Sequence, residues 1–254
     1  MATTAYKTHF NKNSFEEIAW KDNNLICGID EVGRGCLAGP VVVCALILFP
    51  NKLSRHLRDS KIMTPEEREK AYLWIIKNSW NSIALVHHRA IDANNIYQAT
   101  LIAMKRAYMQ LMAQIPCRPS KVIIDAMPLR LDNTAHHDTE VLYFPFGESK
   151  SSSIAAASIV AKVTRDRLMR DHFEKILPGY EFASHKGYST PPHKRHVRNI
   201  GHSIIHRMNF LKNIWIICDD HAQQQSVFVV QEQTQKLDSL PLQSLKPDES
   251  INNP

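Results

Sequence analysis

Two adjacent acidic residues, Asp30 and Glu31, follow an apolar run, and two further acids, Asp125 and Glu148, each follow a later apolar run. In an α/β sheet, catalytic groups gather at the carboxyl ends of the strands, so these four side chains could converge there. Several carboxylates in one place stay ionised only if a cation compensates their charge. Oxygen ligands suit Mg²⁺ or Mn²⁺, and two such ions about 4 Å apart can promote hydrolysis of a phosphodiester. The four acids are therefore candidate ligands of divalent ions.

A simpler interpretation exists for single acids in this position. An acid that follows a strand is often a helix cap or a turn former, and this interpretation is favoured for Asp125 or Glu148 taken alone. It is weaker for the adjacent pair within GIDEVGRG. Successive strand residues face opposite sides, so we expect Glu31 to leave the regular pleat if it shares one site with Asp30.

The elements that must position these acids alternate along the chain. Thr64, Pro65 and the acids after them predict a helix start, with a threonine cap and proline in the first turn. A long alanine-rich helix is predicted to end at Pro178. Short apolar, β-branched runs predict five strands, at 25–29, 40–49, 82–86, 121–124 and 141–146. Strands alternating with helices indicate an α/β fold with a mixed sheet.

The chain carries a net charge of +6, and its basic residues are unevenly distributed. The stretch 183–218 contains no acid but six Lys or Arg and five His. A charge run is ordinarily a solvated face, but an acid-free stretch of this length favours a surface that holds a nucleic-acid duplex. A zinc site made from its histidines is disfavoured, since no thiol accompanies them and their spacing is loose.

The composition also predicts the cellular environment and the domain boundaries. Five cysteines, an odd number without CxxC spacing, indicate a reducing compartment. No secretory signal and no membrane-length apolar run is present, so we expect a cytoplasmic protein without membrane contact. We divide the chain into an N-terminal extension (1–20), a catalytic domain (21–180), a helical appendage (181–220) and a glutamine-rich tail that is predicted to be disordered (221–254).

Five segments together carry a family resemblance over residues 26 to about 210. They are GIDEVGRGCLAGPVVVCALIL, RDSKIMTPEER, KVIIDAMPL, SIAAASIVAKVTRDRLM and FASHKGYSTPPH. In these segments and in their order the chain resembles the type 2 ribonucleases H, the ribonuclease HII family. The resemblance implies a ribonuclease H-like fold, with a mixed five-stranded sheet flanked by helices and a C-terminal helical appendage.

The resemblance also implies an activity and its ligands. Members of the family cleave the RNA strand of RNA–DNA hybrids and cut on the 5′ side of single ribonucleotides in duplex DNA, leaving a 3′-hydroxyl. Asp30, Glu31 and Asp125 match three of the four acids that bind two Mg²⁺ or Mn²⁺ ions. Glu148 stands where the fourth acid, usually aspartate, is found. We therefore expect activity to survive with a metal preference shifted towards Mn²⁺.

Substrate contacts are implied in the same way. The GRG motif matches Gly33, Arg34 and Gly35, whose backbone amides would sense the ribose 2′-hydroxyl, and Tyr188 matches a tyrosine that stacks on the sugar at the RNA–DNA junction. The residues alone leave a salt bridge open for Arg34 and a core position open for Tyr188. Three further residues are expected near the nucleic acid: Ser60, Lys61 and Lys162.

Two other expectations concern helix ends and phosphate contacts. Ser153 is a candidate N-cap of the alanine-rich helix, whose N-terminus could also receive a phosphate. Arg207 stands where many members carry an arginine pair, so a phosphate contact there is in question. We expect a monomer. The alternatives left open are another ribonuclease H-like nuclease and a non-catalytic protein that binds RNA–DNA hybrids.

Overall fold

The computed structural model describes residues 4–5, 12–54, 57 and 60–215 of the 254-residue chain. The described residues up to Lys212 belong to one compact unit, and those from Asn213 to Trp215 belong to a second. The predicted disordered tail and Asp59 of the DSK step lie outside the described residues. Within the described ranges, no helix is long and apolar enough to cross a membrane.

A single mixed sheet forms the centre of the first unit. Its strands are β1 (Thr4–Ala5), β2 (Ile26–Val32), β3 (Val41–Leu48), β4 (Ser79–Val86), β5 (Lys121–Asp125) and β6 (Glu140–Phe144). Their order across the sheet is β1-β6-β5-β2-β3-β4. The pairs β2–β3 and β3–β4 are antiparallel, whereas β2–β5 and β5–β6 are parallel. The predicted five-stranded mixed sheet is confirmed, and the two-residue strand β1 extends it by parallel pairing with β6.

Helices accompany the sheet along the described chain. They are α1 (Ser14–Lys21), α2 (Pro65–Lys77), α3 (His88–Met112), α4 (Gly147–Lys150), α5 (Ser152–Arg167), α6 (Glu174–Ile176), α7 (Phe182–His185), α8 (Pro191–Ile200) and α9 (Met208–Trp215). A π-helical segment, Leu168–Phe173, joins α5 to α6. The predicted start of α2 is confirmed, since Thr64 and Glu67 cap each other reciprocally.

Two apolar layers enclose the sheet. Helix α3 packs on one face, where Met104 and Tyr108 join the inward residues of the strands. Helices α2 and α5 cover the other face, with the small alanines of α5 against β3. All eight residues of β3 are buried because both of its faces are covered, which explains its continuous apolar sequence.

The N-terminal helix α1 supports the alanine-rich helix α5. Glu16, 1% exposed, accepts hydrogen bonds from the Ser151 hydroxyl at 2.5 Å and the Ser153 amide at 2.8 Å. A carboxylate at this end also complements the helix dipole. The N-cap of α5 is Ser151, which accepts from the Ile154 amide at 3.1 Å, so the expected cap at Ser153 is wrong. The phosphate position considered there is taken by Glu16.

Candidate active site

The adjacent acids both belong to the regular part of β2. Asp30 pairs with Cys44 and Glu31 pairs with Val43, and the ladder continues to Val32. The expected departure of Glu31 from the pleat is therefore wrong. Asp30 is 5% exposed, and its Oδ1 accepts from the Glu31 amide at 2.8 Å. The pair is held by the strand itself, at the edge where β2 meets the loop that follows it.

Asp125 and Glu148 reach the same edge from neighbouring elements. Asp125 is the last residue of β5, the parallel neighbour of β2, and its Oδ1 accepts from the Gly147 amide at 3.1 Å. This bond fixes the start of α4, which carries Glu148. Glu148 is 5% exposed and accepts a hydrogen bond from the Ser158 hydroxyl.

The four acids lie close enough for their charges to act on one another. Burial raises the pKa of Asp30 well above its usual range, and the charges of Glu31, Glu148 and Asp125 raise it further. A hydrogen bond from Ser158 opposes this rise in the pKa. Burial also raises the pKa of Glu31, and the charge of Asp125 contributes to the same rise. The structure thus brings together all four acids predicted from the sequence.

Two basic side chains partly balance this charge. Arg34 Nη1 lies 3.3 Å from Glu31 Oε1, and this ion pair opposes the rise in the pKa of Glu31. Lys61 Nζ lies 3.8 Å from Glu148 Oε2, although the Lys61 side chain is 77% exposed. The salt bridge considered for Arg34 is therefore present, and it is made to a residue of the site.

The carboxylate cluster suits hard divalent cations. Glu31 Oε2 is buried and has no hydrogen-bond partner among the described residues, which leaves one oxygen of the cluster ready to accept a ligand. The donors are all carboxylate oxygens, the type that Mg²⁺ and Mn²⁺ prefer. Among the residues that the structure describes, no three His, Cys, Asp or Glu side chains already stand as ligands of one ion. An ion would therefore have to draw these carboxylates closer together.

The glycine-rich loop after β2 lies beside Tyr188. Cys36 and Tyr188 form an antiparallel bridge, and the Leu37 amide donates to the Gly187 carbonyl at 2.8 Å. The Tyr188 ring is half-buried, with Lys162 Nζ 5.0 Å from its centroid. Burial raises the pKa of Tyr188 to about 12, so its phenol stays protonated at neutral pH. Backbone pairing thus brings the HKGY segment to the GRG loop.

The remaining predicted contact residues differ in accessibility. Ser60 is buried, and its hydroxyl lies 2.9 Å from that of Ser158, so it supports the residue that holds Glu148. Lys162 is mostly buried and forms an ion pair with Asp166 at 2.9 Å. Only Lys61 of these three presents a largely exposed side chain next to the acids.

Two fully buried arginines support the loop and were not anticipated. Arg165 donates to the carbonyls of Pro40 and Ala38, both at 2.9 Å, and to that of Lys186 at 2.8 Å. Arg207 is 0% exposed and, among the described residues, donates to loop carbonyls, which agrees with the doubt about a phosphate contact there. Its sequence signals were a basic, acid-free stretch and the arginine pair of many family members, and neither indicated a buried side chain.

Hydrogen-bonded histidines lie behind Tyr188. His193 Nδ1 lies 2.8 Å from the Tyr188 carbonyl, so this nitrogen carries a proton and Nε2 accepts. His206 Nδ1 accepts from the Ser203 amide at 2.9 Å, so its Nε2 donates to His193 Nε2 at 3.0 Å. The two rings are therefore neutral, and they link α8 to the segment that precedes α9.

Comparison with known proteins gives one consistent result. A family model described as Ribonuclease HII matches residues 27–215. The ribonuclease HII of Koribacter versatilis is 46% identical over 194 residues, covering 76% of this chain and 71% of that protein. The ribonuclease HII of Limosilactobacillus reuteri is 43% identical over 202 residues, covering 79% and 75% of the two chains.

Solved structures agree with the fold. The crystal structure of ribonuclease H2 from Pyrococcus horikoshii has a TM-score of 0.58 at 26% identity, covering 75% of this chain and 96% of that chain. Bst-RNase HIII, in complex with Mn²⁺, has a TM-score of 0.59 at 20% identity, covering 77% and 70%. At 20% identity, the similarity to Bst-RNase HIII supports the fold alone.

Proposed function

The chain belongs to the ribonuclease HII family and is a ribonuclease H hydrolase, and we propose that it has two related substrates. It cleaves the RNA strand of RNA–DNA hybrids, and it cuts 5′ of single ribonucleotides embedded in duplex DNA to initiate their excision. The products carry a 3′-hydroxyl and a 5′-phosphate. The observation that supports this proposal best is the convergence of four carboxylates beside the loop that is paired to Tyr188.

Two Mg²⁺ or Mn²⁺ ions would be held by Asp30, Glu31, Asp125 and Glu148. When bound, such ions would supply activation of water and stabilisation of the leaving 3′-oxygen. The protein's own part is to keep the carboxylates in place. The Gly147 amide orients Asp125, the Ser158 hydroxyl orients Glu148, and Arg34 orients Glu31.

Recognition of the ribonucleotide would come from the loop and its partner segment. Only the 2′-hydroxyl separates RNA from DNA locally, so a close backbone contact can distinguish them. We assign this contact to Gly33, Arg34 and Gly35, and stacking on the adjacent sugar to Tyr188. Lys61 and Lys162 would contact the phosphate backbone, with Ser60 behind them. A monomeric state and a cytoplasmic location stay predictions.

The test uses a labelled DNA duplex with one embedded ribonucleotide, incubated with Mg²⁺ or Mn²⁺. We expect a single cut 5′ of the ribonucleotide, and we expect Asp30→Asn to slow it by about 10²–10⁴-fold while duplex binding is retained. Full activity of Asp30→Asn would refute the assignment. Cleavage of an all-DNA duplex would favour another ribonuclease H-like nuclease. Binding of the hybrid without any metal-dependent product would favour a non-catalytic role.

A further inference from the structure

The buried guanidinium of Arg207 is satisfied by backbone carbonyls. Its Nε and Nη2 donate to the Gly39 carbonyl at 3.0 and 2.8 Å. Nη2 also donates to the Gly33 carbonyl at 2.7 Å, and Nη1 donates to the Arg34 carbonyl at 2.8 Å. Burial lowers the pKa of Arg207 to about 10, so the group stays charged at neutral pH. Burying a charge is costly, so the bonds it makes must be well formed to hold it there.

These bonds determine where the neighbouring amides point. In a trans peptide the carbonyl of one residue and the amide of the next point in opposite directions. Since the carbonyls of Gly33 and Arg34 point inward at Arg207, the amides of Arg34 and Gly35 point outward. Within the described part of the chain, neither amide donates a hydrogen bond to a protein atom. Gly35 is exposed, and a Cβ placed on it would meet no atom within 4 Å.

We propose that Arg207 is the positioning residue that sets the discrimination between ribose and deoxyribose. By holding two consecutive carbonyls inward, it presents two consecutive amides as fixed donors for the 2′-oxygen of the ribonucleotide. Donors that are already oriented lose little conformational freedom on binding. This inference rests on the proposed function, because it explains how the GRG loop would detect the hydroxyl.

Arg165, on α5, provides a matched comparison because its guanidinium also bonds carbonyls of this loop. It is equally buried, and its guanidinium also bonds three carbonyls, those of Ala38, Pro40 and Lys186. The two outward-facing amides belong to the Gly33–Arg34 and Arg34–Gly35 peptide groups. None of the three carbonyls bonded by Arg165 belongs to either group. A conservative change at Arg165 therefore perturbs packing and charge without releasing the two carbonyls held by Arg207.

The test measures the affinity of the full-length protein for two otherwise identical duplexes, one with a single ribonucleotide and one entirely of DNA, in EDTA to prevent cleavage. We expect the wild type to prefer the ribonucleotide duplex, and we expect Arg207→Lys to lose about tenfold of that preference, as the loss of one to two hydrogen bonds predicts. Affinity for the DNA duplex should be unchanged. Arg165→Lys should keep the preference.

The outcomes separate this inference from the proposed function. A wild-type preference that Arg207→Lys retains would overturn the inference alone, and so would an equal loss in both arginine variants. Absence of both preference and cleavage in the wild type would overturn the proposed function. If circular dichroism shows that Arg207→Lys does not fold, Arg207→Gln, which removes the buried charge, takes its place. A retained preference, or a loss equal to that of Arg165→Lys, would then overturn the inference.

Discussion

Acidification is expected to destabilise the protein through His193 and His206. Both rings are buried, and their hydrogen bonds require the neutral form. Burial is the main reason why the pKa of His193 is lowered to about 4 and that of His206 to about 3. Protonation of either ring would also place a charge beside the other ring, which opposes protonation further.

The magnitude follows from the difference between the folded and unfolded chains. An unfolded histidine binds a proton near pH 6.5, whereas these two in the folded protein remain neutral until far lower pH. A lowered histidine pKa means that the stabilisation is fully present above pH 6.5 and is lost as the pH falls towards 4 and 3. At about pH 5, each ring reduces the free energy of unfolding by about 2 kcal/mol, or about 4 kcal/mol for the pair.

Urea unfolding at about pH 7.5 and about pH 5 measures this difference. We expect His206→Gln to remove about 2 kcal/mol of the drop between the two pH values, whatever it does to the stability at pH 7.5. His137→Gln, at an exposed position outside the His193–His206 pair, is the control and should keep the full drop. The raised pKa of Asp30 acts in the opposite direction in every variant, so it cancels in the comparison. A drop in His206→Gln equal to that of the wild type would refute the reasoning.

Two further predictions concern packing and metal preference. Gly28→Ala should lower the free energy of unfolding by about 3 kcal/mol, because a Cβ there would lie 2.4 Å from the backbone carbon of Ser153. Thermal unfolding measures this loss, and Gly35→Ala, which meets no atom, should leave the stability unchanged. Glu148→Asp should change the ratio of Mn²⁺- to Mg²⁺-supported cleavage rates, since the shorter side chain withdraws from Ser158. An unchanged ratio in steady-state assays would mean that the extra methylene of Glu148 does not affect the metal preference.

The sheet and its acids were predictable because their signals are local. An apolar run that ends in an acid indicates a strand and its carboxyl end, and Asp125 stands at the last position of β5 as expected. The Thr64 cap depends on residues within one helical turn, so its sequence carries the whole signal. The convergence of the acids then follows from the parallel pairing of β5 with β2 and β6.

Support from distant residues was harder to predict. Glu16 caps α5 from a position 135 residues away from Ser151, and nothing in the composition of α1 distinguishes it from an exposed acid. The pattern instead favoured Ser153 as cap because it directly precedes the apolar part of the helix. A hydrogen bond to a backbone group does not depend on which residue supplies that group. The residue on the backbone side of such a contact therefore carries no sequence signal.

The buried arginines show why separate motifs occur together in this chain. A Cβ at Gly33 would lie 2.3 Å from Arg165 Nε, and the φ of Gly33 is +92°, so the loop needs glycine both for its conformation and for the guanidinium beside it. Arg207 then bonds the carbonyl of that same glycine. The GRG loop, the end of α5 and the segment before α9 are thus one packing unit. Within this unit Arg207 bonds the carbonyls of both Gly33 and Arg34, so a change at Arg207, unlike one at Arg165, should alter the orientation of the loop amides.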